Sequence, residues 1–203
     1  TVHTHANQHA GYFPGAQPVH ILMHVGAGGE IFGAQAVGAE GVDRRIDVIA
    51  TAMRAGLKAA DLIDLDLAYA PPYGQAKDPV NQTGMVAHNV ATGELILTGP
   101  DALTEDMPVL DVRTPGEYAA GHMPNSLNIP HTQLRDRLDE VQAWADENAG
   151  GQPFVVMCAA GVRSWIGYRI VRAAGFDVTM LSGGIQTLRA WLGDRAATVL
   201  VKE

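Results

Sequence analysis

Residues 108–193 alternate short apolar runs with amphipathic stretches, and this alternation constrains the fold more than any other feature of the sequence. Strands that are separated by helices pair in parallel, because each crossover helix returns the chain to the same end of the sheet. We therefore expect residues 99–203 to form an α/β domain whose mainly parallel sheet is covered on both faces. The predicted strands are 108–112, 126–130, 153–157 and 177–181, and the predicted helices are 134–147, 164–175 and 185–193.

The first half of the chain has a different pattern, which predicts an α+β domain over residues 1–98. Apolar and polar residues alternate in "VHILMHV", and "GAGG" at 26–29 marks a turn into a second strand. A linker at 98–106 connects the two domains. The predicted elements are a hairpin of strands 19–25 and 30–37, a helix at 41–56 with Ile46, Ile49, Ala50 and Met53 on its apolar face, and a helix at 81–91.

Charge and cysteine content exclude several classes of function. The 203 residues include 14 Lys and Arg against 22 Asp and Glu, a formal net charge of −8, so the basic footprint of nucleic-acid binding is missing. No apolar stretch approaches the ~18 residues of a membrane span. The single cysteine excludes an internal disulfide and predicts a reducing, cytoplasmic compartment. Since the chain starts at Thr1 without a methionine, we expect a fragment of a longer protein.

The cysteine lies in "CAAGVRS" (158–164), between a predicted central strand and the helix that follows it. Small residues, Ala159, Ala160 and Gly161, are expected to leave the sulfur uncovered. Ser164 is predicted to cap the helix. A helix N-terminus, successive backbone N–H groups and the cation of Arg163 all favour a thiolate and an anionic substrate at this loop. The alternative is that Cys158 is a small buried residue of the core.

Three segments in the second half, "LDVRTPGEYAAGHMPNSLNIP", "CAAGVRS" and "LSGGIQTLRAWL", resemble in order a rhodanese (thiosulfate sulfurtransferase) domain. The resemblance implies that Cys158 takes a sulfane sulfur from thiosulfate or a persulfide and passes it to an acceptor thiol or to cyanide. It also implies that the 159–163 loop, including Val162, and the catalytic Arg163 hold the persulfide and the substrate anion.

The segment "DVRTPGE" supplies the supporting residues of the predicted site. We interpret Asp111 and Arg113 as mainly structural, ion-paired or hydrogen-bonded beneath the loop. Thr114 and Glu117 form a capping-box pattern around Pro115, which explains Glu117 better than a role as a base. His122 is interpreted as a hydrogen-bonded loop histidine.

A phosphatase is the main alternative for the second half, since rhodanese-like domains include dual-specificity phosphatases that use Cys-x5-Arg. Here the spacing is Cys158-x4-Arg163. A shorter loop forms a ring of amides that suits a single sulfur atom better than a tetrahedral phosphate. The spacing therefore favours sulfur transfer.

The first half resembles the C-terminal dimerisation domain of pyridine nucleotide–disulfide oxidoreductases, most closely the coenzyme A-disulfide reductases and NADH oxidases with a fused rhodanese. The segments "HAGYFPGA", "GAQAVGAEGVDRRIDVIATAM" and "LAYAPPYGQAKDPVNQTGMVAHN" carry this resemblance. It implies a homodimer through residues 1–98. Tyr69 and Tyr73, with Tyr12 behind them, are the possible coenzyme A contacts, or they pack against the proline-rich turn.

The resemblance implies FAD, NAD(P)H and coenzyme A for the full-length protein, but no cofactor bound by this chain. "GAGGEIFG" lacks the G-x-G-x-x-G spacing and leads into a predicted strand. The full-length protein is expected to reduce a disulfide, persulfide or polysulfide, while Cys158 delivers or receives the sulfur. The expected partners are small sulfur compounds, namely thiosulfate, persulfides and thiols, with neither nucleic acid nor membrane. The alternative is a non-catalytic module that dimerises and positions a partner.

Histidines are concentrated near the N-terminus, in "HTHANQH" and "HILMH". His3 with His5, or His20 with His24, could chelate a metal. Neither segment contains Asp, Glu or Cys, and we expect no metal site.

Overall fold

A computed structural model describes residues 1–202 and divides the chain into two compact units between Leu95 and Ile96. The sequence predicts this boundary three residues later, between 98 and 99. The difference arises because Leu97–Thr98 forms a short strand, β4, that pairs with the sheet of the second unit. The predicted linker therefore begins inside a strand.

The first unit contains a three-stranded antiparallel sheet in the order β1-β2-β3 and two helices. Its predicted hairpin and both of its predicted helices are confirmed. The strand β1 is not predicted, because its buried residue Thr4 is polar and therefore hides the alternation of apolar and polar positions. The elements are β1 (Val2–Asn7), β2 (Pro18–Val25), β3 (Ile31–Gly38), α1 (Val42–Arg54) and α2 (Pro79–Ala91).

A buried ion pair connects the two helices of the first unit. The Arg45 guanidinium lies 2.7 Å from the Asp78 carboxylate, and their side chains are 4% and 11% exposed. Asp78 also caps α2 through a capping box with Asn81. Because Arg45 turns inward, α1 buries Arg45, Ile49 and Ala52, and the prediction that Ala50 lies on the buried face is wrong.

The second unit contains a five-stranded sheet in the order β4-β8-β7-β5-β6, and every strand pair that the structure describes in it is parallel. The predicted α/β class is thus confirmed for this unit. The elements after β4 are β5 (Val109–Asp111), α3 (Pro115–Ala119), β6 (Ser126–Asn128), a 3-10 turn (Leu134–Arg137), α4 (Leu138–Asn148), β7 (Phe154–Met157), α5 (Val162–Ala173), β8 (Val178–Leu181), α6 (Gly184–Leu192), a 3-10 turn (Gly193–Arg195) and α7 (Ala196–Val199).

Both faces of the parallel sheet are covered, as predicted. On one face, Val155 and Met157 of β7 belong to a buried cluster with Leu188 of α6. On the other face, α5 lies so close to the sheet that a side chain at Gly167 would meet Val156. The strand β7 is therefore central and buried, and the loop after it opens at the carboxyl edge of the sheet, where parallel α/β sheets bind ligands.

Candidate active site

The Cys158 loop begins where β7 ends, and the N-terminus of α6 holds its backbone. The amides of Ile185 and Gln186 donate to the carbonyl oxygens of Cys158 and Ala159, at 2.9 and 3.1 Å. The loop carbonyls thus occupy the free donor positions of a helix N-terminus, which needs partners for its first N–H groups. This contact fixes the start of the loop from the β8 side of the sheet.

Gly184 permits this close approach. Its φ is +63°, and a Cβ atom there would lie 2.5 Å from the Cys158 carbonyl oxygen and 2.7 Å from that of Ala159. A side chain at this position would be strained by the backbone conformation and would also displace the loop. The second glycine of "SGG" is therefore part of the site, a role that the sequence analysis did not assign to it.

Two groups surround the Cys158 sulfur. The Gly161 amide donates to Sγ at 3.2 Å, and Sγ lies 3.3 Å from the Ser164 hydroxyl, which itself donates to the Gly161 carbonyl at 2.9 Å. Cys158 is only 1% exposed. The expectation that the loop leaves the sulfur uncovered is therefore wrong, because the side chain turns under the loop toward Ser164.

Ser164 does not cap the helix, because α5 begins two residues earlier, at Val162, with Gly161 as its N-cap. The buried Ser164 instead lies in the first turn of α5, with its hydroxyl against the sulfur. Ala159 and Ala160 are half-buried, whereas the side chain of Val162 is 69% exposed. The loop therefore presents an apolar side chain to solvent beside the buried sulfur.

The Arg163 guanidinium is already paired within the protein. It forms a two-pronged pair with Glu117, in which both N···O distances are 2.7 Å. Glu117 also caps α3 through Thr114, as the sequence predicts. Hydrogen bonds from Arg163 hold the pKa of Glu117 at about 2, and the same pair raises the pKa of Arg163. Both groups are charged at neutral pH, so Glu117 already occupies the anion position beside Arg163.

The ion pair of Asp111 and Arg113 lies next to the Glu117–Arg163 pair. Arg113 Nε donates to both carboxylate oxygens of Asp111 at 2.9 Å, and its two terminal nitrogens donate to the carbonyls of Glu117 and Gly121, also at 2.9 Å. Both side chains are almost fully buried. The pair therefore fixes the backbone of α3, which carries Glu117. His122 is buried nearby, stacked on the Tyr118 ring.

Residues 99–190 match the family model of the rhodanese-like domain, and this stretch contains strands β5 to β8 of the parallel sheet, the Cys158 loop and the Gly184 contact. The second unit is a rhodanese-like domain. The match covers Cys158, both groups that contact its sulfur, and the Glu117–Arg163 pair, so the resemblance seen in the sequence extends to the folded site.

Comparison with solved structures extends beyond the rhodanese-like domain. The crystal structure of reduced Bacillus anthracis CoADR-RHD is 40% identical, covers 96% of this chain and superposes with a TM-score of 0.88. The structure of an NAD-dependent persulfide reductase from A. fulgidus is 38% identical over 92% of the chain, with a TM-score of 0.81. The chain spans only 34% and 33% of these two proteins. It is homologous to their C-terminal region, which includes the rhodanese part.

A relative found by sequence comparison is also a disulfide reductase. The coenzyme A disulfide reductase of Staphylococcus aureus (strain bovine RF122 / ET3-1) is 44% identical over 80 residues. That alignment covers 39% of this chain and 18% of the relative. The relationship to sulfur-related reductases therefore appears in both sequence and structure.

The tyrosines predicted to contact coenzyme A lie on the surface of the first unit. Tyr12, Tyr69 and Tyr73 are 78%, 49% and 67% exposed, and the hydroxyls of Tyr12 and Tyr69 are 3.1 Å apart. Exposure on this scale argues against packing of the rings into the proline-rich turn. The structure does not test their contact with coenzyme A, which stays a prediction.

The glycine-rich stretch of the first unit does not have the form of a dinucleotide-binding motif. The glycine-rich stretch Gly26–Gly29 is the turn of the β2–β3 hairpin, closed by the Gly26 amide on the Glu30 carbonyl at 2.8 Å. It leads into a strand, whereas a dinucleotide-binding glycine motif leads into a helix whose N-terminus faces the pyrophosphate. This segment therefore supplies no such site.

Clusters of three metal ligands and membrane-spanning helices are absent from the part of the chain that the structure describes. No three His, Cys, Asp or Glu side chains within residues 1–202 are arranged to hold a metal ion. No helix in the same range combines the length and the apolar character that crossing a membrane requires.

Substitution of Gly184 tests the contact between α6 and the Cys158 loop. Gly184→Ala should destabilise the rhodanese-like unit by roughly 2–4 kcal/mol, through backbone strain and the clash with two carbonyl oxygens. Urea unfolding measures the effect. Gly116→Ala is the matched control, because a Cβ there meets no atom within 4 Å, and it should be nearly neutral. Equal stability of Gly184→Ala and the wild type would contradict the close approach.

Proposed function

We propose that the rhodanese-like domain transfers sulfane sulfur through a persulfide on Cys158. The observation that carries the proposal is the position of the sulfur at the end of a central parallel strand, with the Gly161 amide directed at it. A backbone N–H and an adjacent helix N-terminus stabilise negative charge on sulfur, as a thiolate or as a persulfide anion. The relationship to a persulfide reductase and to coenzyme A disulfide reductases supports the same chemistry.

The reaction comprises two exchanges at sulfur. In the first, the Cys158 thiolate attacks the outer sulfur of a persulfide donor, the donor S–S bond breaks, and its electron pair leaves on the donor thiolate. That thiolate takes up the proton that Cys158 lost. In the second, an acceptor thiolate attacks the outer sulfur of the Cys158 persulfide and releases the Cys158 thiolate. One sulfur atom moves and no external oxidant or reductant is needed.

Ser164 has a positioning role in this scheme. In the resting thiol, the Cys158 S–H donates to the Ser164 hydroxyl. After deprotonation, rotation of that hydroxyl would give the thiolate a second donor besides the Gly161 amide. Both donors come from the first turn of α5 and the loop before it, so they keep the same positions during both exchanges.

A phosphatase is disfavoured by the orientation of Arg163. Phosphoryl transfer requires a cation directed at the phosphate oxygens in the ring of loop amides. Here both prongs of the Arg163 fork contact Glu117, whose pKa of about 2 keeps it ionised. The charge of Arg163 is therefore neutralised, and the loop is better suited to a single sulfur atom than to a phosphate dianion.

Replacement of the nucleophile tests the proposed function. Incubation of the wild type with an alkyl persulfide should add the mass of one sulfur atom to the peptide that contains Cys158. Cys158→Ser should show neither the adduct nor any turnover, because its oxygen cannot form a persulfide. Thermal unfolding of both proteins serves as the control for folding. Absence of the adduct from folded wild type would support the non-catalytic alternative, a dimerising module that positions a partner.

The Glu117–Arg163 pair predicts which donor the site prefers. With Arg163 neutralised, the thiosulfate dianion should be a weaker donor than an alkyl persulfide. Glu117→Gln keeps a side chain that suits the capping box but releases the charge of Arg163. It should raise kcat/KM for thiosulfate about three- to tenfold, the range of an ordinary net hydrogen bond. It should change kcat/KM for an alkyl persulfide, which carries at most one negative charge, less than about twofold.

The control for this experiment is Glu105→Gln, which removes one negative charge from an exposed position of the same unit. It should leave both donors unchanged. If Glu117→Gln lowered the efficiency with thiosulfate, the carboxylate would be supporting anion use rather than opposing it, and the assignment would be wrong.

We also propose that the chain acts as the C-terminal part of a homodimeric disulfide, persulfide or polysulfide reductase. FAD and NAD(P)H would be held outside the described residues, and Tyr69 and Tyr73 would contact coenzyme A. The homology to two reductases of which this chain spans about a third supports this proposal. Residues 1–98 are the proposed dimer contact. Sedimentation equilibrium should give twice the monomer mass, and a monomer at high concentration would contradict the proposal.

A further inference from the structure

We propose that His5 and His20 form a binding site for a divalent transition-metal ion, of the zinc and copper class, on the sheet of the first unit. The site is independent of the proposed sulfur transfer. In the sequence, the neighbouring histidines are His3 with His5 and His20 with His24, whereas the fold brings His5 and His20 together. These two residues are direct partners in the antiparallel register of β1 and β2. Their Nδ1 atoms are in hydrogen-bond contact, and their ring centroids are 4.6 Å apart.

Both imidazoles lie on the face of the sheet that points away from α2. On the other face, the Thr4 hydroxyl contacts the Thr83 hydroxyl of α2 at 2.7 Å, and Ile21 is 2% exposed. Because successive residues of a strand point to opposite faces, His5 and His20 are directed the other way. Both are half-buried. The two side chains are therefore positioned by the strand pairing and lie outside the core of the unit.

The contact between the two nitrogens defines a position that a metal ion can take. A neutral imidazole has one protonated nitrogen and one nitrogen with a free lone pair, so the contact requires a proton on only one of the two Nδ1 atoms. When that ring carries its proton on Nε2 instead, both Nδ1 lone pairs face the space between the rings. Two nitrogen ligands of a tetrahedral zinc ion lie roughly 3.4 Å apart, so the rings rotate slightly apart as the ion enters. The exchange of tautomers releases no net proton.

The surroundings of the pair favour a cation and select its type. The strands β1, β2 and β3 contain neither Lys nor Arg, and the chain has a formal net charge of −8. The same strands contain no Asp, Glu or Cys, so the protein ligands are imidazole nitrogens, which suit zinc, copper and nickel rather than magnesium or calcium. Two protein ligands leave the other coordination positions to water, which agrees with the absence of a three-ligand cluster among residues 1–202.

Titration with zinc in a calorimeter tests the site. The chain carries no polyhistidine tag and contains Cys158→Ser, since a thiolate is itself a zinc ligand. One zinc ion should bind per chain, and magnesium should not bind. His5→Gln and His20→Gln should each weaken zinc binding at least tenfold, because loss of even an outer-shell partner costs about 10–100-fold. His24→Gln is the matched control, since His24 is an exposed histidine of the same strand and face that contacts Thr1. It should bind zinc as before.

Histidine ring signals in NMR spectra give a second measurement, which does not depend on how well the variants fold. Zinc should shift the signals of His5 and His20 and leave those of His24 and His131 unchanged. Thermal unfolding without zinc checks the folding of each variant. With zinc, Tm should rise for the parent chain but not for His5→Gln, as expected for a ligand of the native state. Absence of binding at about 1 mM zinc, unchanged binding in His5→Gln or His20→Gln, or an equal loss in His24→Gln would overturn the inference.

Discussion

The buried Asp111–Arg113 pair is the interaction on which the site depends. Arg113 uses its planar fork to hold the Asp111 carboxylate and the carbonyls of Glu117 and Gly121. A buried charge pair of this kind is tolerated only when hydrogen bonds satisfy it, and loss of one partner typically costs about 3–5 kcal/mol. Because the pair fixes α3, it also fixes the Glu117 carboxylate, which in turn holds Arg163. The Cys158 loop is therefore connected to β5 through two successive ion pairs.

On its opposite side, the Cys158 loop is held by uncharged backbone groups. There the α6 amides donate to the Cys158 and Ala159 carbonyls, and Gly184 allows the two backbones to meet. A loop held from both sides keeps its amide and hydroxyl groups directed at the sulfur, which is the preorganisation that stabilises developing charge. A terminal sulfane sulfur has no substituent beyond itself, which suits a site where Cys158 is 1% exposed.

The sequence predicts the local features well and the long-range ones poorly. The parallel sheet, the cap at Thr114 and the position of Cys158 at a strand end follow from patterns within a few residues. The short strand Leu97–Thr98 has too few residues to show any alternation, so the domain boundary is predicted three residues late. The buried face of α1 is predicted incorrectly because burial of Arg45 becomes favourable only when it pairs with Asp78, which is 33 residues away.

The partner of Arg163 could not be predicted from the sequence and is known only from the fold. Glu117 is 46 residues away in the sequence, and its capping-box pattern already gives it a complete local explanation. From the sequence we therefore expect Arg163 to bind the substrate anion, whereas in the folded protein it pairs with Glu117. The burial of the sulfur has the same origin, because the rotation of Cys158 toward Ser164 depends on how α5 begins.

Neutralisation of Arg163 changes how an anionic reactant can be recognised. A cation beside the nucleophile would attract any small anion, including sulfite and phosphate, as well as the intended sulfur compound. Here Glu117 holds both prongs of that cation, so such an anion would have to displace a carboxylate whose pKa is about 2. A sulfur compound with little or no charge gains less from Arg163 and loses less from the pairing. Under the proposed function, the ion pair therefore favours reactants that are recognised through their sulfur and the Gly161 amide rather than through their charge.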